Sequence, residues 1–90
     1  MDTVTDNAAR GRFELIEGGK LAFADYQVRD DVLVLPHVEA DPALRGQGTA
    51  GRLMEGVLAI ARERGLKVLP VCGYAAAWIR RHPEHHDLRA

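Results

Sequence analysis

The apolar residues of this chain change their spacing near the middle of the sequence. Before residue 41 they gather in short runs rich in β-branched and aromatic side chains, which is typical of strands. Beyond it they recur with a helical period, most clearly at Ala50, Leu53, Met54, Val57, Leu58 and Ala61. A chain of 90 residues supplies only one hydrophobic core. The two halves must therefore pack together, and the sequence predicts one sheet covered by helices.

Three apolar runs in the first half predict an antiparallel meander of three strands. The runs cover residues 13–16, 21–28 and 32–39. Gly18-Gly19 between the first two runs is a hairpin signal, and Asp30-Asp31 predicts the second turn. Pro36 has no backbone N–H to donate, so it predicts a bulge or an unpaired edge within the third strand.

The second half predicts a helix, a strand and a second helix. The apolar stripe ends before Gly65, which is well placed as a C-terminal cap. A short buried strand follows over 67–71, and 74–81 form a helix that Pro83 stops. A helix that connects two strands favours a parallel pair. The predicted fold class is α+β, a mixed α/β arrangement in which the antiparallel three-stranded meander is followed by helix, parallel strand and helix.

Charge, hydropathy and cysteine content exclude several classes of protein. The 12 Lys+Arg and 13 Asp+Glu give a formal net charge of −1, which argues against a nucleic-acid partner. No run reaches the roughly 18 apolar residues of a membrane span, and the N-terminus lacks the pattern of a signal peptide. One cysteine excludes an internal disulfide and fits a reducing cytoplasm. We expect a single cytoplasmic domain over 1–90, with 1–8 as a flexible lead and no membrane partner.

The segment between the third strand and the long helix carries the clearest functional signal. The first turn of a helix presents backbone N–H groups without intrahelical partners, and the helix dipole adds positive potential there. Gly46 and Gly48 let a diphosphate approach the backbone, and Arg45 adds a charged fork suited to phosphate oxygens. The simpler alternative is a glycine-rich turn that only reverses the chain. Its placement before an amphipathic helix favours anion binding.

Two better-known phosphate loops fit the segment less well. A Walker loop requires Gly-Lys-Ser/Thr, which does not follow. The dinucleotide fingerprint Gly-x-Gly-x-x-Gly is present at Gly46, Gly48 and Gly51. Its context is wrong, because an antiparallel meander precedes it and 68–71 hold no acidic residue for a ribose hydroxyl.

Arg45-x-x-Gly48-x-Ala50 resembles the Arg/Gln-x-x-Gly-x-Gly/Ala signature of the GNAT superfamily of N-acetyltransferases. More narrowly, the chain resembles the tiny single-domain GNAT-like proteins, in a minimal GNAT-like fold. Further shared motifs lie at 12–14, 37–39, 42–48, 65–68, 70–72 and 79–83. The likeness extends from residue 12 to about 86, and six motifs in the same order make it specific.

The resemblance implies that acetyl-CoA is the co-substrate and that the acetyl group moves to an amine; the residues predict no metal. The pantetheine arm would pair with the strand around 37–40, where backbone N–H groups would hold the thioester oxygen. The cofactor-binding residues implied in this way are Val38, Ala40, Arg45, Gly46, Gln47, Gly48, Thr49, Ala50 and Gly51. Arg52, Arg80 and Arg81 either reach phosphates as well or form a solvated helix face.

His37, Glu39 and Cys72 are the catalytic candidates. His37 and Glu39 lie two apart on a strand and share a face, so either can serve as a base or both can join a solvated network. Cys72 precedes a helix N-terminus, where a thiolate is stabilised. It can protonate the departing thiolate, accept the acetyl group, or be a small buried apolar residue. The general-acid Tyr of larger GNAT enzymes has no match at 78–79, and Tyr74 is a possible substitute that lies a turn or more too early.

The sequence does not identify the acceptor of the acetyl group or decide whether the chain catalyses the transfer. The chain has only a turn where larger GNAT domains insert helices, so the acceptor site should be open and suited to an amine on a protein. The alternatives are a non-catalytic module or partner subunit that binds CoA or acyl-CoA, and a structural domain with a vestigial loop. His82, His85 and His86 are not aligned for a metal, because Pro83 breaks the helix between them.

Overall fold

The computed structural model describes residues 3–90, which form one five-stranded sheet in the order β1-β2-β3-β4-β5. The strands are β1 (Thr5–Asn7), β2 (Arg12–Glu17), β3 (Lys20–Arg29), β4 (Val32–Ala40) and β5 (Lys67–Pro70). The helices are α1 (Thr49–Glu63) and α2 (Gly73–Arg80), with short 3-10 turns at Ala8–Arg10, Pro42–Leu44 and Pro83–Leu88. β1 to β4 pair antiparallel, whereas β5 lies parallel to β4. The predicted α+β class is confirmed, and the predicted elements occur in the predicted order, with β1 as an additional strand.

Local signals set the turns and helix ends where they were expected. Gly18 and Gly19 both have positive φ, 56° and 73°, which matches the twist of a two-residue hairpin between β2 and β3. Asp30 and Asp31 occupy the same left-handed region in the next hairpin, a conformation that aspartate tolerates better than most residues.

No helix of residues 3–90 is long and apolar enough to cross a membrane.

Both helices pack on the same face of the sheet. α1 buries its predicted stripe, and α2 adds Ala75, Trp78 and Ile79 to the same hydrophobic cluster. The sheet contributes Phe13, Leu15, Ala22, Ala24, Leu33, Leu35 and Val68, all nearly inaccessible to solvent. Alternate residues point to the other face and are exposed there, as Ile16 and Leu69 are. We call this second surface the open face.

The flexible lead predicted over residues 1–8 is wrong for Thr5–Asn7, which pair with β2. Residues 1 and 2 lie outside the described part of the chain. The Tyr26 hydroxyl donates to Asp6 Oδ1 at 2.6 Å, and Arg64 Nη1 donates to Asp6 Oδ2 at 2.9 Å. These partners are 20 and 58 residues away, so no local pattern near Asp6 predicts the strand.

Tyr26→Phe should lower the free energy of unfolding by about 1 kcal/mol, because it deletes the hydrogen bond to Asp6 and keeps the ring stacked on Phe13. The Asp6 carboxylate raises the pKa of the Tyr26 phenol. This stabilisation is therefore complete below the unfolded tyrosine pKa of about 10 and is lost as the pH rises through the higher folded value. Urea unfolding at pH 7 and above pH 10 measures both effects. Tyr74→Phe is the control, and equal losses in both variants would contradict the assignment.

β4 contains the irregularity that Pro36 predicted. Asp25 lies opposite His37 but Gln27 lies opposite Val34, so β4 carries one extra residue around Leu35-Pro36. The parallel pairing with β5 also stops there, at Leu35 opposite Pro70. Beyond this point the N–H groups of Val71 and Cys72 both donate to the Leu35 carbonyl, and the chain turns into α2. β4 continues to Ala40, so the two parallel strands diverge.

Candidate functional site

A cavity of about 260 Å³ opens where β4 and β5 diverge. Its walls are the end of β4, the loop before α1, the first turn of α1 and the first turn of α2. The lining residues are Ala40, Asp41, Pro42, Leu44, Arg45, Gly46, Gly48, Thr49, Ala50, Gly51 and Tyr74. The structure thus brings seven of the nine predicted cofactor residues together, and leaves Val38 and Gln47 outside this lining.

The loop is shaped by contacts within itself. Asp41 Oδ1 accepts from the Ala43 N–H at 2.9 Å and caps the 3-10 turn, while Leu44 anchors that turn in the core. Gln47 donates from its N–H to the Leu44 carbonyl and from Nε2 to the Ala43 carbonyl. Gln47 therefore holds the turn together, which explains why its side chain does not line the cavity.

Gly48 begins α1 in a conformation that few other residues adopt. Its φ is +77°, and it occupies the N-cap position with no side chain to cap the helix. Gly48 therefore offers no side-chain acceptor to the first-turn N–H groups at Thr49, Ala50 and Gly51, and these three residues line the cavity. A helix start of this kind has the geometry and the potential to hold an anion.

The edge of β4 next to the cavity presents backbone groups. The Asp41 N–H donates to the Leu21 carbonyl at 2.9 Å, so this pair is a hydrogen-bonded one. Antiparallel pairs alternate, which turns the N–H and C=O of Ala40 and Val38 away from β3 and toward the open edge. Their side chains pack against the core on the helical face. This arrangement fits an extended ligand that adds to β4 like a further strand.

His37 and Glu39 lie on the open face, opposite the helices. Their cross-strand partners are Asp25 and Phe23, which alternate with the buried Ala22 and Ala24. His37 Nε2 lies 3.0 Å from Glu39 Oε1, and the two side chains are 52% and 59% exposed. The predicted pair therefore exists, but it does not line the cavity. An acceptor could reach these groups only along the open face.

Cys72 lies at the point of divergence, as the N-cap residue of α2. Its thiol is free and partly buried, and its N–H donates to the Leu35 carbonyl at 3.0 Å. Two residues later, Tyr74 lines the cavity and is 38% exposed. Burial raises the pKa of the Tyr74 phenol, with a smaller opposing effect of Arg81 and a smaller raising effect of Cys72. The phenol is protonated at neutral pH and can donate a proton.

Tyr74 lines the cavity although it was not among the predicted site residues. Comparison with larger GNAT enzymes makes Tyr74 a possible substitute for their general acid, a turn or more too early in the chain. In the structure α2 begins at Gly73, so Tyr74 belongs to its first turn, beside the loop before α1. An exposed aromatic residue directly after a helix start was the only signal for it.

The C-terminal histidines have structural contacts instead. The His82 ring stacks on Trp78 at 3.7 Å, and His86 Nε2 lies 2.9 Å from the Ile79 carbonyl oxygen. His85 pairs with Glu55 at 3.3 Å, and Glu84 lies close enough for the three to hold a metal ion. Both carboxylates are exposed, and exposed acidic groups of this kind are common without an ion.

A strand divergence beside an uncapped, glycine-rich helix start defines an acyltransferase fold of the GNAT type. The chain belongs to the family of GCN5-related N-acetyl-transferases, whose family model matches residues 12–88. The chain is also similar to the NMR solution structure of a GCN5-like protein from Staphylococcus aureus, with 23% identity and a TM-score of 0.76. That similarity covers 97% of this chain and 86% of the other, and it concerns the fold. None of the curated proteins compared matches the chain. The expectation of an acetyltransferase is confirmed.

Proposed function

We propose that the cavity holds acetyl-CoA and that the protein transfers its acetyl group to an amine. Members of the family generally use acetyl-CoA as co-substrate. The observation that carries the proposal is the junction of two surfaces: the uncapped start of α1 and the free edge of β4 meet at one cavity. The first suits a diphosphate and the second suits the amide-containing pantetheine arm.

The diphosphate would lie against the N–H groups of Thr49, Ala50 and Gly51. Gly46 and Gly48 leave the backbone of the loop accessible, and Arg45 at the cavity wall supplies a cationic fork. The pantetheine arm would run along Val38 and Ala40 toward the divergence of β4 and β5. This direction brings the thioester toward Cys72 and the bulge at Pro36.

Cys72 would then take the acetyl group first. Its sulfur attacks the thioester carbonyl carbon, the new C–S bond forms, and the bond to the CoA sulfur breaks. Tyr74 gives its proton to the departing CoA thiolate and receives the proton of the Cys72 thiol, so no net proton is gained or lost. An outward N–H of β4, such as that of Val38, stabilises the negative charge on the carbonyl oxygen.

The acceptor amine completes the transfer. Its nitrogen attacks the acetyl carbon on Cys72, the C–N bond forms, the C–S bond breaks, and Cys72 leaves as a thiolate that takes up a proton from solvent to restore the thiol. An amine that approaches along the open face meets His37 and Glu39, which can take its proton. The two-residue hairpin at Gly18-Gly19 leaves this face open to a bulky acceptor, and an exposed amine on a protein fits best. A reduced Cys72 thiol requires a reducing compartment such as the cytoplasm.

Two measurements test the proposal. Calorimetry with CoA should give a saturable one-site isotherm, and acetyl-CoA with a panel of amines should give CoA and acetylated amine. Chromatography is the right assay for CoA, because a thiol dye would also react with Cys72. Saturable binding without CoA release or acetyl transfer would support a non-catalytic acyl-CoA module and overturn the transferase proposal. No binding would overturn both.

A further inference from the structure

Glu17 and Arg52 form a bidentate ion pair beside the loop, although neither lines the cavity. Glu17 ends β2 directly before the hairpin, and Arg52 lies in the first turns of α1. Arg52 Nε donates to Glu17 Oε2 and Nη2 donates to Glu17 Oε1, both at 2.7 Å. The Glu17 side chain is only 11% exposed, so water screens this pair less than a fully exposed one.

The pair is attached to the loop at both sides of Gly48. Arg52 Nη2 donates to the Gln47 carbonyl at 2.8 Å. The Thr49 hydroxyl, which is buried, donates to Glu17 Oε1 at 2.5 Å. A Cβ at Gly48 would lie 3.1 Å from Arg52 Nη1, so the guanidinium packs directly against the loop. These contacts leave the loop little freedom around Gly48.

The charges of the Glu17–Arg52 pair indicate that it positions the loop and does not attract the anion. A carboxylate near a helix N-terminus satisfies the helix dipole and by itself would repel a diphosphate. Arg52 neutralises that carboxylate while it holds the loop. The ion pair orders the loop before the ligand binds, and this order lowers the entropic cost of binding.

We propose that Glu17, acting through Arg52 and Thr49, is a positioning residue that pre-forms the diphosphate loop. The inference rests on the proposed binding of CoA in this cavity. For the change in CoA affinity on substitution of Glu17, it predicts the direction opposite to the one expected from charge alone. Glu17→Gln removes a negative charge near the anion site and so should tighten diphosphate binding if charge alone matters. If positioning matters, the same substitution weakens binding.

The experiment compares Glu17→Gln with Asp87→Asn in the full chain. Asp87 makes a similar bidentate pair with Arg62 at the other end of α1 and is remote from the cavity lining. We expect Glu17→Gln to raise the dissociation constant for CoA about tenfold, since charge-assisted hydrogen bonds are lost, and Asp87→Asn to leave it unchanged. Binding of S-acetylpantetheine, which lacks the diphosphate, should be equal in all three proteins. NMR titration measures both ligands.

The unliganded proteins provide a second readout. Hydrogen exchange at the amides of Gly48 and Thr49 should be faster in Glu17→Gln than in the wild type, and unchanged in Asp87→Asn. If Glu17→Gln does not fold, Arg52→Lys replaces it and Arg62→Lys is its control. Lysine keeps the charge and loses the fork geometry.

Each outcome has one meaning. Weaker CoA binding with unchanged S-acetylpantetheine binding supports the positioning role. Unchanged or tighter CoA binding in a folded Glu17→Gln or Arg52→Lys protein overturns it and leaves the proposed function standing. Equal losses for both ligands also overturn it, because the effect would then not pass through the diphosphate loop. A wild-type protein that does not bind CoA overturns the proposed function together with this inference.

Discussion

Gly48→Val is expected to raise the dissociation constant for CoA about 100-fold, which corresponds to about 2.8 kcal/mol of binding free energy. Two physical effects combine. A β-branched residue is strained at the φ of +77° that Gly48 adopts, so the loop would leave this conformation. The new Cβ would also lie 3.1 Å from Arg52 Nη1 and push against the guanidinium.

The direction in which a Cβ at position 48 points determines why CoA affinity is lost. From the sequence, a side chain at Gly48 would be expected to occupy the diphosphate position itself. In the structure it points at Arg52, so the loss comes from a displaced loop. Isothermal calorimetry with CoA measures the effect.

Gly65→Val is the matched control for the backbone strain. Gly65 has a φ of +70°, follows the C-terminal end of α1, and has open space around its Cβ position. Both variants should lose stability from the left-handed conformation, by roughly 1–2 kcal/mol or more, but only Gly48→Val should lose CoA binding. A folded Gly48→Val protein that binds CoA like the wild type would place the diphosphate elsewhere.

Cys72→Ala is expected to lower the rate of acetyl transfer at least about 100-fold, because the nucleophile of the first step is gone and neither Tyr74 nor the open-face pair replaces it. The dissociation constant for CoA should stay the same, since Cys72 does not line the cavity that holds the diphosphate. Initial rates of CoA release at saturating acetyl-CoA and amine, measured by chromatography, give the comparison.

A covalent step has its own signature. Wild-type protein incubated with acetyl-CoA without an amine should gain one acetyl group in intact mass, and neutral hydroxylamine should remove it, as it does from a thioester. Acetylation of Lys20 or Lys67 would resist that treatment and serves as the internal control. A Cys72→Ala protein with undiminished rate would exclude the cysteine from the mechanism. The reaction would then have to be a direct attack by the amine, with Tyr74 as proton donor.

Much of the fold follows from residues close together in the chain. The stripe from Ala50 to Ala61 predicts α1 because a helix repeats every 3.6 residues and needs only its own side chains to show an apolar face. Gly18-Gly19 predicts the hairpin because two positive φ values are a local requirement. Pro36 predicts the bulge because a missing N–H interrupts any ladder.

The first strand and the faces of the catalytic candidates do not follow in this way. β1 depends on Asp6 meeting Tyr26 and Arg64, and a polar segment alone does not indicate partners so far along the chain. His37 and Glu39 were correctly expected to share a face. Which face it is depends on the register of β3 against β4, including the extra residue at the bulge.

The sequence by itself determined the type and order of the elements from β2 to α2 and the glycine-rich helix start, because each depends on dihedral preferences and periodicities within about a dozen residues. Only the tertiary structure decided which side chains meet at that helix start. Tyr74 faces the loop because β4 and β5 diverge after Leu35, and Glu17 meets Arg52, 35 residues away, because the hairpin end of the sheet lies beside α1. Strand register and helix packing create these contacts, and neither is encoded at any single position.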